Sequence, residues 1–272
     1  MYAKDFEYDG HKLSDFGFIV CSFNGAGDVE TVSAGSEITF NKVSHHQGKK
    51  QSLTSTKYER CIQSVFQICK NPCAGSKSII TDEEYRNIMR WLNRREFLPF
   101  KPIFSDEQKE DVYYNASFNV NKIMANGKLY GLELNMETDK PFGYGSLITE
   151  DWTVSTENTG TEINIIDESD EIGCTFPKVI VTCSEDGDLH IKNITEGCET
   201  VVKNCKADET ITIDGTSQTI MSSMLEEHDI AADFNYEFFR IGNSYSNREN
   251  KITVSLPCDI SIMYYPIIKD TP

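Results

Sequence analysis

Residues 81–144 constrain the fold most, because a helix with a fixed start is followed there by a hairpin with a fixed turn. Thr81, Asp82, Glu83 and Glu84 make a capping box, in which the Thr81 hydroxyl and the Glu84 carboxylate each satisfy a backbone donor left orphaned by the first helical turn. Tyr85, Ile88, Met89 and Leu92 recur at helical spacing, Trp91 stands at the edge of that stripe, and Arg86, Arg90 and Arg94 fill the opposite side. The pattern predicts a helix over residues 81–95 whose apolar face, with Ile88, Trp91 and Leu92 as core residues, must pack on something. Pro99 and Pro102 are expected to end it and set an extended exit.

Tyr114, Ala116, Phe118 and Val120 alternate with Asn115, Ser117, Asn119 and Asn121, the period of two of a half-buried strand. Asn126 and Gly127 suit the positive φ angles of a two-residue turn, and the chain returns through Leu132, Leu134 and Met136. A hairpin over residues 112–138 follows, with Phe118 in the core. With strand patterns at residues 6–8, 16–20, 37–40 and 62–68, residues 1–145 read as an α+β domain in which the principal helix covers one sheet face.

Beyond residue 145 the pattern changes. Residues 146–173 are polar and carry the acidic run Asp167, Glu168, Asp170 and Glu171, which reads as a linker or exposed loop without the spacing of a calcium loop. Strand patterns then recur at residues 179–182, 189–192, 200–202, 210–213, 238–241, 251–255 and 260–265, with turns at Asp186-Gly187 and Asp214-Gly215. Residues 222–230 alone suggest a short helix. This describes an antiparallel β-sandwich over residues 146–272, so the chain as a whole is read as mainly β.

Charge divides at the same place. Residues 1–150 hold 18 basic and 20 acidic side chains, a balance of -2, and residues 151–272 hold 8 and 23, a balance of -15. So acidic a half repels phosphate backbones, which argues against bound nucleic acid and for solubility and repulsion between copies. The nine cysteines lack zinc-type C-x-x-C pairs, the crowded Cys61, Cys69 and Cys73 have no histidine within motif distance downstream, and the thiols are expected to be reduced and partly buried. The start lacks the apolar region of an export signal, and no run approaches the ~18 apolar residues of a membrane span. The marked motifs of serine hydrolases, P-loop proteins, dinucleotide enzymes and zinc proteases are absent, which removes the commonest marked enzymes and leaves open the paired carboxylates of glycoside hydrolysis, whose signal is spatial and not sequential.

Residues 41–57 form a polar, mildly basic stretch between strand patterns and are expected to be an exposed hairpin arm, with Lys42, His45, His46, Lys49 and Lys50 at an oligomer interface. Adjacent residues on a strand point to opposite faces, so His45 and His46 are not expected to chelate a metal.

Five features in order resemble the distal tail protein family of tailed bacteriophages, over nearly the whole chain. They are the opening at residues 6–20, the Cys69-Lys70-Asn71-Pro72 turn before the capped helix, Trp91-Leu92 on that helix, the hairpin closed by Pro141-Phe142-Gly143-Tyr144, and the end at residues 260–266. The resemblance implies a structural protein of the virion tail tip or of a prophage-derived particle, not an enzyme and without a cofactor, synthesised in the bacterial cytoplasm. N-terminal domains would form a hexameric ring joining the tail tube to tip or baseplate proteins, with a galectin-like β-sandwich outside and DNA passing through the lumen without specific binding. The arm falls where the family has an extended hairpin that contacts neighbouring copies, and a closed ring would hide sheet edges. The alternative is a carbohydrate-binding β-sandwich that adheres to the cell wall, with Phe234, Tyr236 and Tyr245 as stacking platforms.

Overall fold

The computed structural model describes residues 3–23, 36–74, 78–105 and 111–272. The protein is mainly β and divides into unit 1, Met1–Gly145 with Ile268–Pro272, and unit 2, Ser146–Ile267.

Unit 1 runs through β1 (Asp5–Tyr8), β2 (His11–Lys12), β3 (Phe18–Cys21), β4 (Ile38–His45), β5 (Lys50–Tyr58), β6 (Gln63–Lys70), α1 (Asp82–Leu92), β7 (Leu98–Ile103), β8 (Tyr114–Ala125), β9 (Lys128–Thr138) and β10 (Gly143–Tyr144). Seven strands make one antiparallel sheet in the order β2-β1-β7-β8-β9-β6-β3, while β4 and β5 form a separate ribbon. Asn126 and Gly127, at φ 48° and 74°, make the β8–β9 turn. Gly131 on β9 has no alternative, since a Cβ there would lie 2.5 Å from the Phe23 ring and 2.8 Å from the Ile68 carbonyl.

At the start of α1 the Thr81 hydroxyl accepts from the Glu84 amide, and the Glu84 carboxylate accepts from the Thr81 amide at 2.8 Å. Thr81→Ala should therefore cost about 1 kcal/mol of unit 1 stability, read as a lower urea midpoint. The helix stops at Leu92 instead of running on to residue 95. Asn93 ends it, its side-chain amide donating to the Phe118 carbonyl at 3.2 Å. Pro99 and Pro102 thus shape a strand and do not stop a helix: β7 pairs with β1 on one side and β8 on the other. Trp91, expected at the edge of the helical stripe, is 6% exposed. Its ring stacks on Phe16 at 4.5 Å and on Phe6 at 5.6 Å, and its Nε1 donates to the Tyr8 carbonyl at 2.8 Å. Ile88, Leu92 and Phe118 are buried in the same core. The strand expected at residues 16–20 starts only at Phe18, because Leu13–Phe16 is a 3-10 turn closed by Gly17 at φ 76°.

Unit 2 runs through β11 (Ile148–Val154), β12 (Ile163–Ile166), β13 (Gly173–Thr175), β14 (Lys178–Cys183), β15 (Gly187–Asn193), β16 (Cys198–Cys205), β17 (Thr210–Asp214), β18 (Thr219–Ser222), α2 (Ile230–Asp233), β19 (Ile241–Asn243), β20 (Glu249–Val254) and β21 (Cys258–Tyr264). A five-stranded sheet, β11-β21-β14-β17-β18, faces a four-stranded one, β12-β20-β15-β16. Val179, Val181, Ile211, Ile213, Ile260 and Ile262 from the first pack with Leu189, Ile191, Val202, Ile252 and Val254 from the second, as in a β-sandwich.

The polar stretch at residues 146–173 is not a linker. β11 pairs with β21 over seven positions, from Ile148↔Tyr264 to Val154↔Cys258, and Asp167 and Ser169 are buried. An edge strand needs few inward apolar side chains, here Ile148, Trp152 and Val154, so its composition stays polar. The second helix is the short α2 and not residues 222–230, and the strand expected at residues 238–241 begins at Ile241.

Candidate assembly surfaces

The β4–β5 ribbon grows from a turn at His46, Gln47 and Gly48, all at positive φ. Among the described residues it hydrogen-bonds to no other strand, although an isolated two-stranded hairpin is marginally stable in water at best. Its register explains what it offers. Ile38 faces Tyr58 and Phe40 faces Thr56; a bulge between Asn41 and Lys42 then leaves Thr54 unpaired and sets Leu53 opposite Lys42. Directly opposite residues share a face, so Ile38, Phe40, Leu53 and Tyr58 form one stripe. Ile38 is 43% exposed, Phe40 54% and Leu53 57%.

The ribbon is also basic: Lys42, Lys49, Lys50 and Lys57 lie within residues 38–58, which contain no acidic side chain. Lys42 Nζ sits 5.8 Å from the centre of the Phe40 ring, and on the other face Asn41 donates to Ser55 at 2.9 Å. His45 pairs with Lys50 at the last rung, Lys49 lies in the turn, and His46 is a turn residue and not a strand neighbour of His45. The structure therefore gathers the five expected arm residues at the distal half of the ribbon. Phe40 and Leu53 were missed because the bulge shifts Leu53 by one position, which hides the stripe from a period of two. No group of side chains suited to hold a metal ion occurs among the described residues.

The seven-stranded sheet presents a second surface. On the face away from its buried side chains, Asn119, Asn135 and Val65 form one registered row, Asn121, Glu133 and Gln67 a second, and Ser117, Glu137 and Gln63 a third. Amides and two carboxylates dominate these rows, no cation stands in them, and the central Val65 is 56% exposed.

In unit 2, Phe234 is core, while Tyr236 is 66% and Tyr245 95% exposed. A shallow groove of about 330 Å³ lies against Asp151, Thr153, Thr182, Asp259 and Ser261. Deeper in the unit, His228 Nδ1 donates to Glu209 Oε1 at 2.6 Å, and its Nε2 lies 3.4 Å from Asp233. Burial alone would raise the Glu209 carboxyl, but hydrogen bonds from Ser222, His228 and the Lys206 amide hold it below its ordinary value. Burial alone would lower His228, but Glu209 foremost holds it above 6.5. Both groups are sealed from solvent, which makes them a clamp on residues 222–234 and not a catalytic pair.

This chain of two β units, with an exposed ribbon that joins no other sheet among the described residues, belongs to a family of phage tail proteins. The family model described as phage tail protein N-terminal domain matches residues 1–140, and the phage tail C-terminal domain matches residues 142–264. The protein is thus a component of the virion tail. Among solved structures it is similar to the Dit (gp 19.1) protein of phage SPP1, described as a paradigm of the hub adsorption apparatus in phages that infect Gram-positive hosts. The match has 14% sequence identity and a TM-score of 0.65, and covers 96% of this chain and 98% of that one. At that identity the likeness establishes the fold. No curated protein matches the chain.

Proposed function

We propose that the protein is a structural, non-enzymatic subunit of the tail tip that assembles through unit 1 into a hexameric ring and joins the tail tube to tip or baseplate proteins. The β4–β5 ribbon carries this reading, since a basic arm whose Ile38, Phe40 and Leu53 are exposed among the described residues needs a partner surface. The occupant is a neighbouring copy, whose amide- and carboxylate-bearing sheet face complements four lysines. DNA passes through the lumen without specific binding, in keeping with the net charge of -17, and no cofactor takes part. Unit 2 sits as a galectin-like sandwich on the outside, where a balance of -15 over residues 151–272 keeps copies apart.

The test is a double substitution, Phe40→Asp with Leu53→Asp, in the full chain. Both residues are exposed, so the melting transition should stay unchanged while sedimentation shows loss of the oligomer. A variant that sediments as the wild type would remove the arm from assembly.

A further inference from the structure

The two sheets of the unit 2 sandwich end in the edge strands β11, β18, β12 and β16. β12 and β18 are only four residues each. β16 is longer, but residues 234–237 lie along it: the Asn235 amide donates to the Val201 carbonyl at 3.1 Å, the Val201 amide donates to Asn235 Oδ1 at 3.1 Å, and the Asn235 side chain donates to the Glu199 carbonyl at 2.9 Å. β11 is seven residues long, and among the described residues no strand pairs with its outer side. A long uncovered edge is a template for another chain.

The ladder fixes which backbone groups of β11 are free. The Ser184 amide donates to the Pro257 carbonyl, so the bonded rungs between β14 and β21 fall at Thr182↔Asp259 and Ile180↔Ser261. Asp259, Ser261 and Met263 therefore direct their backbone groups to β14, while Cys258, Ile260, Ile262 and Tyr264 direct theirs to Val154, Trp152, Glu150 and Ile148 of β11. Thr149, Asp151 and Thr153 are left with amides and carbonyls facing outward. Their side chains are exposed, and Asp151 and Thr153 line the shallow groove of about 330 Å³ together with Asp259. A strand laid against β11 sets its own alternate side chains on that groove's face, directly opposite Thr149, Asp151 and Thr153.

We infer that the free edge of β11 is a docking strand for an extended, basic segment of another polypeptide, which adds one strand to the five-stranded sheet. Charge selects this occupant. Glu150 and Asp151 are exposed on the edge, and the groove beside it is lined by the carboxylates of Asp151 and Asp259 and by no cation. A second copy of β11 does not fit, because full antiparallel self-pairing of Ile148–Val154 sets Asp151 opposite Asp151, and like charges directly opposite destabilise a pair. The acidic residues that keep copies from pairing attract a lysine or arginine placed across from Asp151. Backbone hydrogen bonds to Thr149, Asp151 and Thr153 supply affinity, and the groove supplies the preference for a basic side chain. The inference stands on unit 2 geometry and is independent of ring formation.

The test pairs the full-length protein with a capped synthetic peptide, as long as β11, with lysine at every second position and threonine between. Residue-resolved hydrogen exchange should show the Thr149, Asp151 and Thr153 amides slowed by the bound peptide, and the Glu150 and Trp152 amides, already paired to β21, little changed. Methylating the lysine backbone nitrogens, which face β11 in this pairing, should weaken binding roughly tenfold or more, whereas methylating the threonine nitrogens should not. Asp151→Lys, a change at an exposed position, should leave melting unaltered and weaken the lysine peptide by a similar factor. Protection at β18 or β3 in place of β11, equal binding of the two methylated peptides, equal binding of a peptide with glutamate in place of lysine, or no binding of the lysine peptide would each overturn the assignment.

Discussion

Trp91→Ala should lower the unfolding free energy of unit 1 by about 3–5 kcal/mol, the range for a buried large-to-small aromatic change. The indole is gripped on two sides by Phe16 and Phe6 and anchored to the Tyr8 carbonyl, so its loss opens a cavity between helix and sheet that rigid rings cannot fill. Trp152 belongs to unit 2, and with two tryptophans in the chain its fluorescence reports that unit alone in this variant. Urea unfolding should therefore show unit 1 melting early by circular dichroism, with the Trp152 transition unmoved. An effect within ~0.5 kcal/mol, as at ordinary surface sites, would take α1 out of the core.

Glu209→Ala should destabilise unit 2 by about 3–5 kcal/mol, because it leaves His228 buried beside an empty site. The pH dependence gives the sharper signature. Glu209 is held below its unfolded value of 4.5, so its contribution is present above that value and is lost as the pH falls through the lower folded one. His228 is held above its unfolded 6.5, so its contribution is full below 6.5 and is lost as the pH rises through the raised folded value. The stability difference between wild type and Glu209→Ala should thus be greatest between about pH 4.5 and 6.5 and shrink on either side. A difference flat from pH 4 to 9 in urea titrations would mean that the pair carries no charge.

What could be read from the sequence was local. The Thr81–Glu84 capping box and the Asn126-Gly127 turn are each decided by a few neighbouring residues, and both appear in the structure with the hydrogen bonds and φ angles their chemistry requires. The end of α1 was not legible, because Asn93 is fixed by the Phe118 carbonyl, 25 residues away in the chain. β11 was hidden for a related reason: only its pairing with β21, over a hundred residues later, shows that three apolar side chains suffice for an edge strand.

The arm shows both sides. Its lysines and turn stand out in composition, but the stripe of Ile38, Phe40, Leu53 and Tyr58 depends on one bulge that no periodicity reveals. Likewise the clamp joins Glu209, His228 and Asp233 through folding of a loop, and Phe234, named as a candidate stacking platform, turned inward to the core.

We propose that this tail protein closes into a ring of six. Native mass spectrometry of the full chain, alone and with tail-tube and tip proteins, measures that directly. Ring closure gives a species of six times the 30.8 kDa chain mass, lost in the Phe40→Asp, Leu53→Asp variant. A monomer at every concentration, even with both partners present, would contradict it.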